Sequence, residues 1–310
     1  MKLEFFKPRS FGNRLADTFT FLMQNFKPFS KGLLTITLPL LFAYMIVAFL
    51  FYSNYFSIFG LQNIQYADAS SMLSILWIIP MLLLLGITAV FVIVVTLSYI
   101  KLYNNDKERE ITPSLLWKET KRYFWRVLGA NLLIGVVFIT VFATITAIMA
   151  FTIGDLMVGG STTGILAVFL IFLLILLITP VIVWFFTKIT FFPIFIVNEE
   201  KDVIQSFKDS YKFTKGIFWR TLGFVILLSL IVSTAAQILN SPSTMLMYLN
   251  MFMDIGSFSQ HLASVLMAIG SSVGLLLYCV LYIGCAIFYF SEIEQRYGII
   301  ANREIDEIGR

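Results

Sequence analysis

His261 is the chain's only histidine, and Asp254, Ser257 and Ser259 stand just before it, so a Ser/His/Asp relay is the first chemistry to consider. Such a relay needs its serine on a sharp, exposed turn, and no nucleophile-elbow pattern accompanies these residues. A single histidine also excludes any histidine-rich metal centre. Met245, Met247, Met251 and Met253 bunch nearby. Thioethers can hold Cu(I), but methionine on an outer amphipathic segment is more simply an adaptable apolar residue, and that is the expectation. Asp68, Asp155 and Asp254 fall one to each of three outer connections, where convergence would make a cation site and ordinary turn chemistry would not. Cys279 and Cys285 lie inside one apolar run on different helix faces and read as packing residues. No glycine-rich phosphate loop precedes a polar helix, and no paired intramembrane carboxylates suggest a proton relay. No catalytic, cofactor-binding or metal-ligating residue is therefore assigned, and the expectation is a protein that is not an enzyme.

The elements that would position any site are membrane helices. Hydrophobic residues make up 59% of the 310 residues and charged ones 13%, with a mean hydropathy of +0.88, far from the balance of a soluble domain. Crossing a hydrocarbon core of about 30 Å takes roughly 20 apolar residues in a helix. Six stretches qualify, near Leu33–Phe51, Met72–Ile100, Val127–Ile153, Gly164–Thr187, Thr221–Leu239 and Leu262–Phe290. All 22 Lys and Arg residues fall in residues 1–31, 101–126, 188–220 and the tail after Phe290, while the connections 52–71, 154–163 and 240–261 hold none. Short cytoplasmic loops retain cations, so both termini are expected in the cytoplasm of a multi-pass inner-membrane protein. The cations are spread over four juxtamembrane stretches and not gathered in one groove, which argues against nucleic acid as a partner.

The chain reads as one membrane domain, 1–310, of three parallel repeats near 1–103, 104–197 and 198–310. Each holds an amphipathic cytoplasmic stretch and two spans. Phe124-Trp125-Arg126-Val127-Leu128-Gly129 returns as Phe218-Trp219-Arg220-Thr221-Leu222-Gly223, and Asp17-Thr18-Phe19-Thr20-Phe21 has an echo in Asp209-Ser210-Tyr211-Lys212-Phe213. Surface helices are expected from three apolar stripes: Phe11, Leu15, Thr18, Phe19 and Leu22; Leu115, Leu116 and Tyr123 behind a Thr112-Pro113 start; and Val203, Ile204, Phe207 and Tyr211, with Lys201, Lys208 and Lys212 polar. Trp125, Arg126, Trp219 and Arg220 are interfacial anchors or lipid contacts, because indole prefers the headgroup zone and guanidinium binds phosphate. Lys188 is expected to snorkel at the inner edge; the other reading is a charge within a longer helix broken near Pro193. Pro39, Pro80 and Pro180 sit within spans where they permit kinks. Gly270 and Gly274 form a small-xxx-small step that packs against another helix, within the chain or in a second copy.

The run D-S-Y-K-F-T-K-G before F-W-R-T-L-G, and F-Y-F-S-E-I-E-Q-R-Y-G before I-D-E-I-G, resemble an uncharacterised group of six-span membrane proteins common in Bacteroidetes. That group is similar to the membrane module accompanying some glycerophosphodiester phosphodiesterases. The resemblance implies the module and not the activity, since the catalytic barrel is absent here. The function expected is a non-catalytic module that binds membrane lipids, other membrane proteins or a second copy of itself. Transport of a lipid-like or small apolar solute is the alternative, and an intramembrane enzyme the third.

Overall fold

The apolar runs become helices, several of them much longer than a bilayer is thick. The computed structural model describes residues 3–59, 75–106, 110–159, 161–253 and 256–298. Among these, α1 covers Phe11–Phe59, α2 Ile78–Asn105 after a 3-10 turn at Ile75–Trp77, α3 Pro113–Gly159 and α4 Ser161–Ile189. The short α5 is Phe192–Val197, α6 is Val203–Phe213, α7 is Phe218–Met253 and α8 is Ser257–Tyr297. No strand occurs among the described residues. Six helices are long and apolar enough to cross a membrane, and the chain is a membrane protein by that architecture. Asp68 and Asp254 lie outside the described residues, as does the side chain of Asp155.

Four helices, α1, α3, α7 and α8, extend further than the sequence reading expects. At 49 residues α1 is about 73 Å long, more than twice the hydrocarbon thickness, so its amphipathic stretch and its span are one continuous helix. The same holds for α3. The stretch before α7 behaves differently, because α6 ends at Phe213 and Gly216 takes a positive φ of 85°. When the repeated F-W-R runs are aligned, Arg122 stands where Gly216 does. Only glycine adopts that conformation readily, which explains why the helix breaks at one site and runs on at the other. Pro80 also departs from expectation: α2 begins at Ile78, so this proline occupies the first turn, where no intrahelical donor is lost.

Contacts gather the chain into two compact units, residues 1–124 with 223–310 and residues 125–222. In the first unit α1, α2 and α8 pack mutually. Leu41, Tyr44 and Ala48 of α1 meet Met81, Ala268 and Leu275 in one core cluster. The later half of α2 is buried without interruption from Val92 to Ile100, and α8 likewise from Ile283 to Phe290. A Cβ on Gly284 would collide with Leu228 and meet Thr18 Oγ1 at 3.3 Å, so glycine lets α7 and α1 reach the α8 backbone. On α1 the buried line is Arg14, Thr18, Phe21 and Phe29; of the expected stripe Phe11, Leu15, Thr18, Phe19 and Leu22 only Thr18 is buried, because Arg14 pairs with Glu292 of α8 while Phe21 and Phe29 pack on Tyr99 of α2.

The charged end of this unit is clasped by the N-terminal segment. Phe5 is buried against Phe21, Tyr103 and Phe290 with ring centroids 5.1, 5.9 and 5.7 Å away. Arg9 folds the segment by donating to the carbonyls of Glu4, Phe5 and Lys7 and pairing with Asp17. Its backbone is tied to α8, where the Arg9 N–H donates to Ser291 Oγ at 3.0 Å and Gln295 Nε2 donates to the Arg9 carbonyl at 2.9 Å. One turn away, Arg14 makes a buried ion pair with Glu292 at 2.9 Å and lies 4.4 Å over the Phe288 ring. Gly298, with φ 54°, ends α8 by returning its N–H to the Glu294 carbonyl.

Candidate functional site: a lysine-lined groove

The second unit begins with exposed apolar surface. Leu132, Val136 and Ile139 of α3 are each at least 60% exposed, as lipid-facing side chains are. Against this unit's α4 the chain makes a sharp bend. Pro193 lies in the first turn of α5, where its missing N–H is harmless, so α4 stops at Ile189 and α5 restarts at Phe192. The break frees the Lys188 carbonyl and the Phe191 N–H. Ser210 of α6 satisfies both, donating to the carbonyl at 2.8 Å and accepting from the N–H at 3.2 Å. Ser210 is fully buried, so Ser210→Ala is expected to cost about 1–3 kcal/mol, read as a loss of unfolding free energy in detergent.

Ser206, Ser210 and Phe213 are the buried residues of α6, while Ile204 and Tyr211 face outward. Phe213 stands edge-on to Phe191 at 5.0 Å, and Phe207 packs on Phe192 at 4.9 Å. The start of the helix is pinned by Lys201, which bridges Glu199 at 2.6 Å and Asp209 at 2.8 Å. Gln205 Nε2 also donates to both Asp209 oxygens. The hydrogen bond from Lys201 holds the Asp209 carboxyl below its ordinary range against the opposing effect of burial, and Gln205 and nearby ammonium charge add to it. Burial draws the Lys201 ammonium down, but Asp209 and Glu199 outweigh it and the net shift is upward. A depressed carboxyl stabilises above its unfolded pKa and loses that support as pH falls through the folded one. Acidification below about pH 4 is therefore expected to speed backbone hydrogen exchange at the start of α6. Asp209→Asn should remove that pH dependence.

Three helices then enclose a groove of about 580 Å3. Leu133, Ile134 and Val137 of α3 form one wall, Trp184, Phe185, Lys188 and Ile189 of α4 a second, and Phe207, Lys208, Tyr211 and Lys212 of α6 the third. The volume lies in the range of small-molecule sites. Phe207, Lys208, Tyr211 and Lys212 all border the groove, so apolar and basic residues of α6 line the same space. The lining contains three lysines and no carboxylate. Among the described residues none of the three makes an ion pair, and the nearby acid, Asp209, is engaged by Lys201 and Gln205. Lys188 is only 8% exposed and does not reach outward. Its Nζ sits 5.0 Å from the Tyr211 ring centre and 5.6 Å from that of Phe218, within cation–π range.

The other residues singled out from sequence lie elsewhere. Trp125 and Trp219 are 74% and 79% exposed, and Arg126 and Arg220 are exposed beside them; none lines the groove. Gly270 and Gly274 are in the first unit, where a Cβ on Gly270 would strike Asn240 and one on Gly274 would rest 3.5 Å from Ala236, so α8 meets α7 there. Ser259 Oγ is spent on the Gly256 carbonyl and Asn250, and His261 is exposed. Met245 and Met253 point outward from α7. Among the described residues no group of three His, Cys, Asp or Glu side chains is placed to hold a metal. Ser210, Tyr211 and Phe218 escaped the sequence reading as site residues; the one available signal was the i, i+4 spacing of Lys208 and Lys212 on the helix that follows the Pro193 break.

No curated protein and no solved structure matches the chain. A family match extends over residues 113–290, more than half of the chain and all of the groove. On that match the chain belongs to the family described as Domain of unknown function (DUF7847).

Proposed function

We propose that this protein is a non-catalytic, multi-pass module of the inner membrane that binds lipid, with both termini in the cytoplasm. The groove carries this reading: apolar walls open toward the exposed face of α3 and unpaired ammonium groups at one end suit an amphiphile better than a soluble metabolite. The confinement of every cation to alternate connections supports the orientation. The recurring F-W-R run, once within α3 and once at the start of α7, supports descent from three parallel repeats with surface-seeking helices, as does the resemblance to the membrane module of some glycerophosphodiester phosphodiesterases in Bacteroidetes-type proteins. Outward tryptophans beside arginines suit anchoring at the headgroup level.

Extraction of the intact protein into mild detergent, followed by native mass spectrometry, tests the reading. A stoichiometric phospholipid that survives delipidating washes is the expected result. Lipid-free protein that drives uptake of a small apolar solute into liposomes would replace the module with a transporter.

A further inference from the structure

We infer that the groove between α3, α4 and α6 selects an anionic phospholipid and rejects choline-type headgroups, with Lys188 as the discriminating residue. This rests on the lipid-binding reading above and adds the headgroup class. Three ammonium groups border the space without a carboxylate among them, so a bound anion would supply the missing countercharge. Asp209, whose charge also acts on Lys212, makes its ion pair with Lys201 at 2.8 Å and does not line the groove. Quaternary ammonium ligands are recognised between aromatic faces. Of the aromatic side chains that line the groove, Tyr211 already carries the Lys188 ammonium 5.0 Å from its ring centre, and the same ammonium lies 5.6 Å from that of Phe218 beside the groove. A choline group seated on Tyr211 would meet a like charge, and one on Trp184 would still lie in a groove bordered by three ammonium groups. The choice of lipid over free phosphate follows from the walls. Leu133 and Val137 are more than half exposed and ascend α3 away from its charged start, which gives an acyl chain a path into the apolar zone.

The full-length protein in nanodiscs of equal phosphatidylglycerol and phosphatidylcholine is delipidated stepwise and the retained lipid identified by native mass spectrometry. Phosphatidylglycerol is expected to be retained in preference. Lys208→Gln and Lys212→Gln, both at exposed positions, should each lower the preference about fivefold. Lys215→Gln, exposed but outside the groove, is the charge-matched control and should leave it unchanged. Lys188→Met should raise phosphatidylcholine retention. Equal retention of the two lipids would overturn the selectivity while leaving lipid binding intact, and retention of neither would overturn the lipid-binding reading itself. A Lys215→Gln effect as large as that of the groove variants would reduce the preference to general surface charge. Displacement of phosphatidylglycerol by millimolar inorganic phosphate would show that the site takes phosphate without needing a chain.

Discussion

Arg14→Ala is expected to remove about 3 kcal/mol of stability, the lower end of the range for breaking a buried ion pair. Arg14 and Glu292 side chains are 3% and 2% exposed, so the carboxylate left behind cannot be rehydrated without opening the α1–α8 contact. Arg296 remains 3.8 Å from the other Glu292 oxygen, which keeps the loss from the upper end. The variant also loses the cation over Phe288 and the hydrogen bond to Gln295 at 3.3 Å. Equilibrium unfolding in detergent micelles measures the difference. Replacing both partners, Arg14→Met with Glu292→Leu, should recover most of it, because no charge is then stranded. A double variant as unstable as the single one would show that the pair contributes through shape and not through charge.

Phe5→Ala should be of similar size, about 3–5 kcal/mol, but local. Phe5 precedes α1 and reaches back onto Phe21, Tyr103 and Phe290, joining the N-terminal segment to α1, α2 and α8. When the segment detaches, Phe5 enters water and not lipid, so transfer from water contributes fully at this site. That term is missing for side chains moving between helices inside a bilayer, where packing alone decides. Release should appear as rapid tryptic cleavage after Arg9, whose following residue is Ser10, and fast exchange of the Arg9 amide. The amides of Val92–Ile100 in α2 should stay protected. Loss of protection there would mean that the clasp holds the whole unit together.

Much of the fold was legible in the residues because the lipid environment imposes simple demands. Six apolar runs of sufficient length predict six helices long enough to span, and the structure has six. Thr112 and Pro113 mark the start of α3 correctly, with the Leu116 N–H bonded to the Thr112 carbonyl at 3.0 Å. The helix boundaries on the charged side were harder to read. An amphipathic stretch and a span share the same helical period, so only Gly216 reveals a break, and its counterpart Arg122 conceals a continuation. Burial on α1 differs from the expected stripe for a related reason: the buried residues include Arg14, whose guanidinium is matched by Glu292, a partner distant in sequence.

The groove shows the division most clearly. Lys188, the Pro193 break and the Lys208–Lys212 spacing are properties of the linear chain, and each has an ordinary explanation when read singly. Their convergence depends on Ser210 reaching back across the bend to the Lys188 carbonyl, a contact 22 residues apart, and on Lys201 taking Asp209 as its ion-pair partner. Sequence by itself determined that this chain lives in a membrane, since apolar length and cation placement are summed along the backbone without regard to what packs where. Tertiary structure alone decided which charges meet and which are left without a partner, since that depends on side chains brought together by folding.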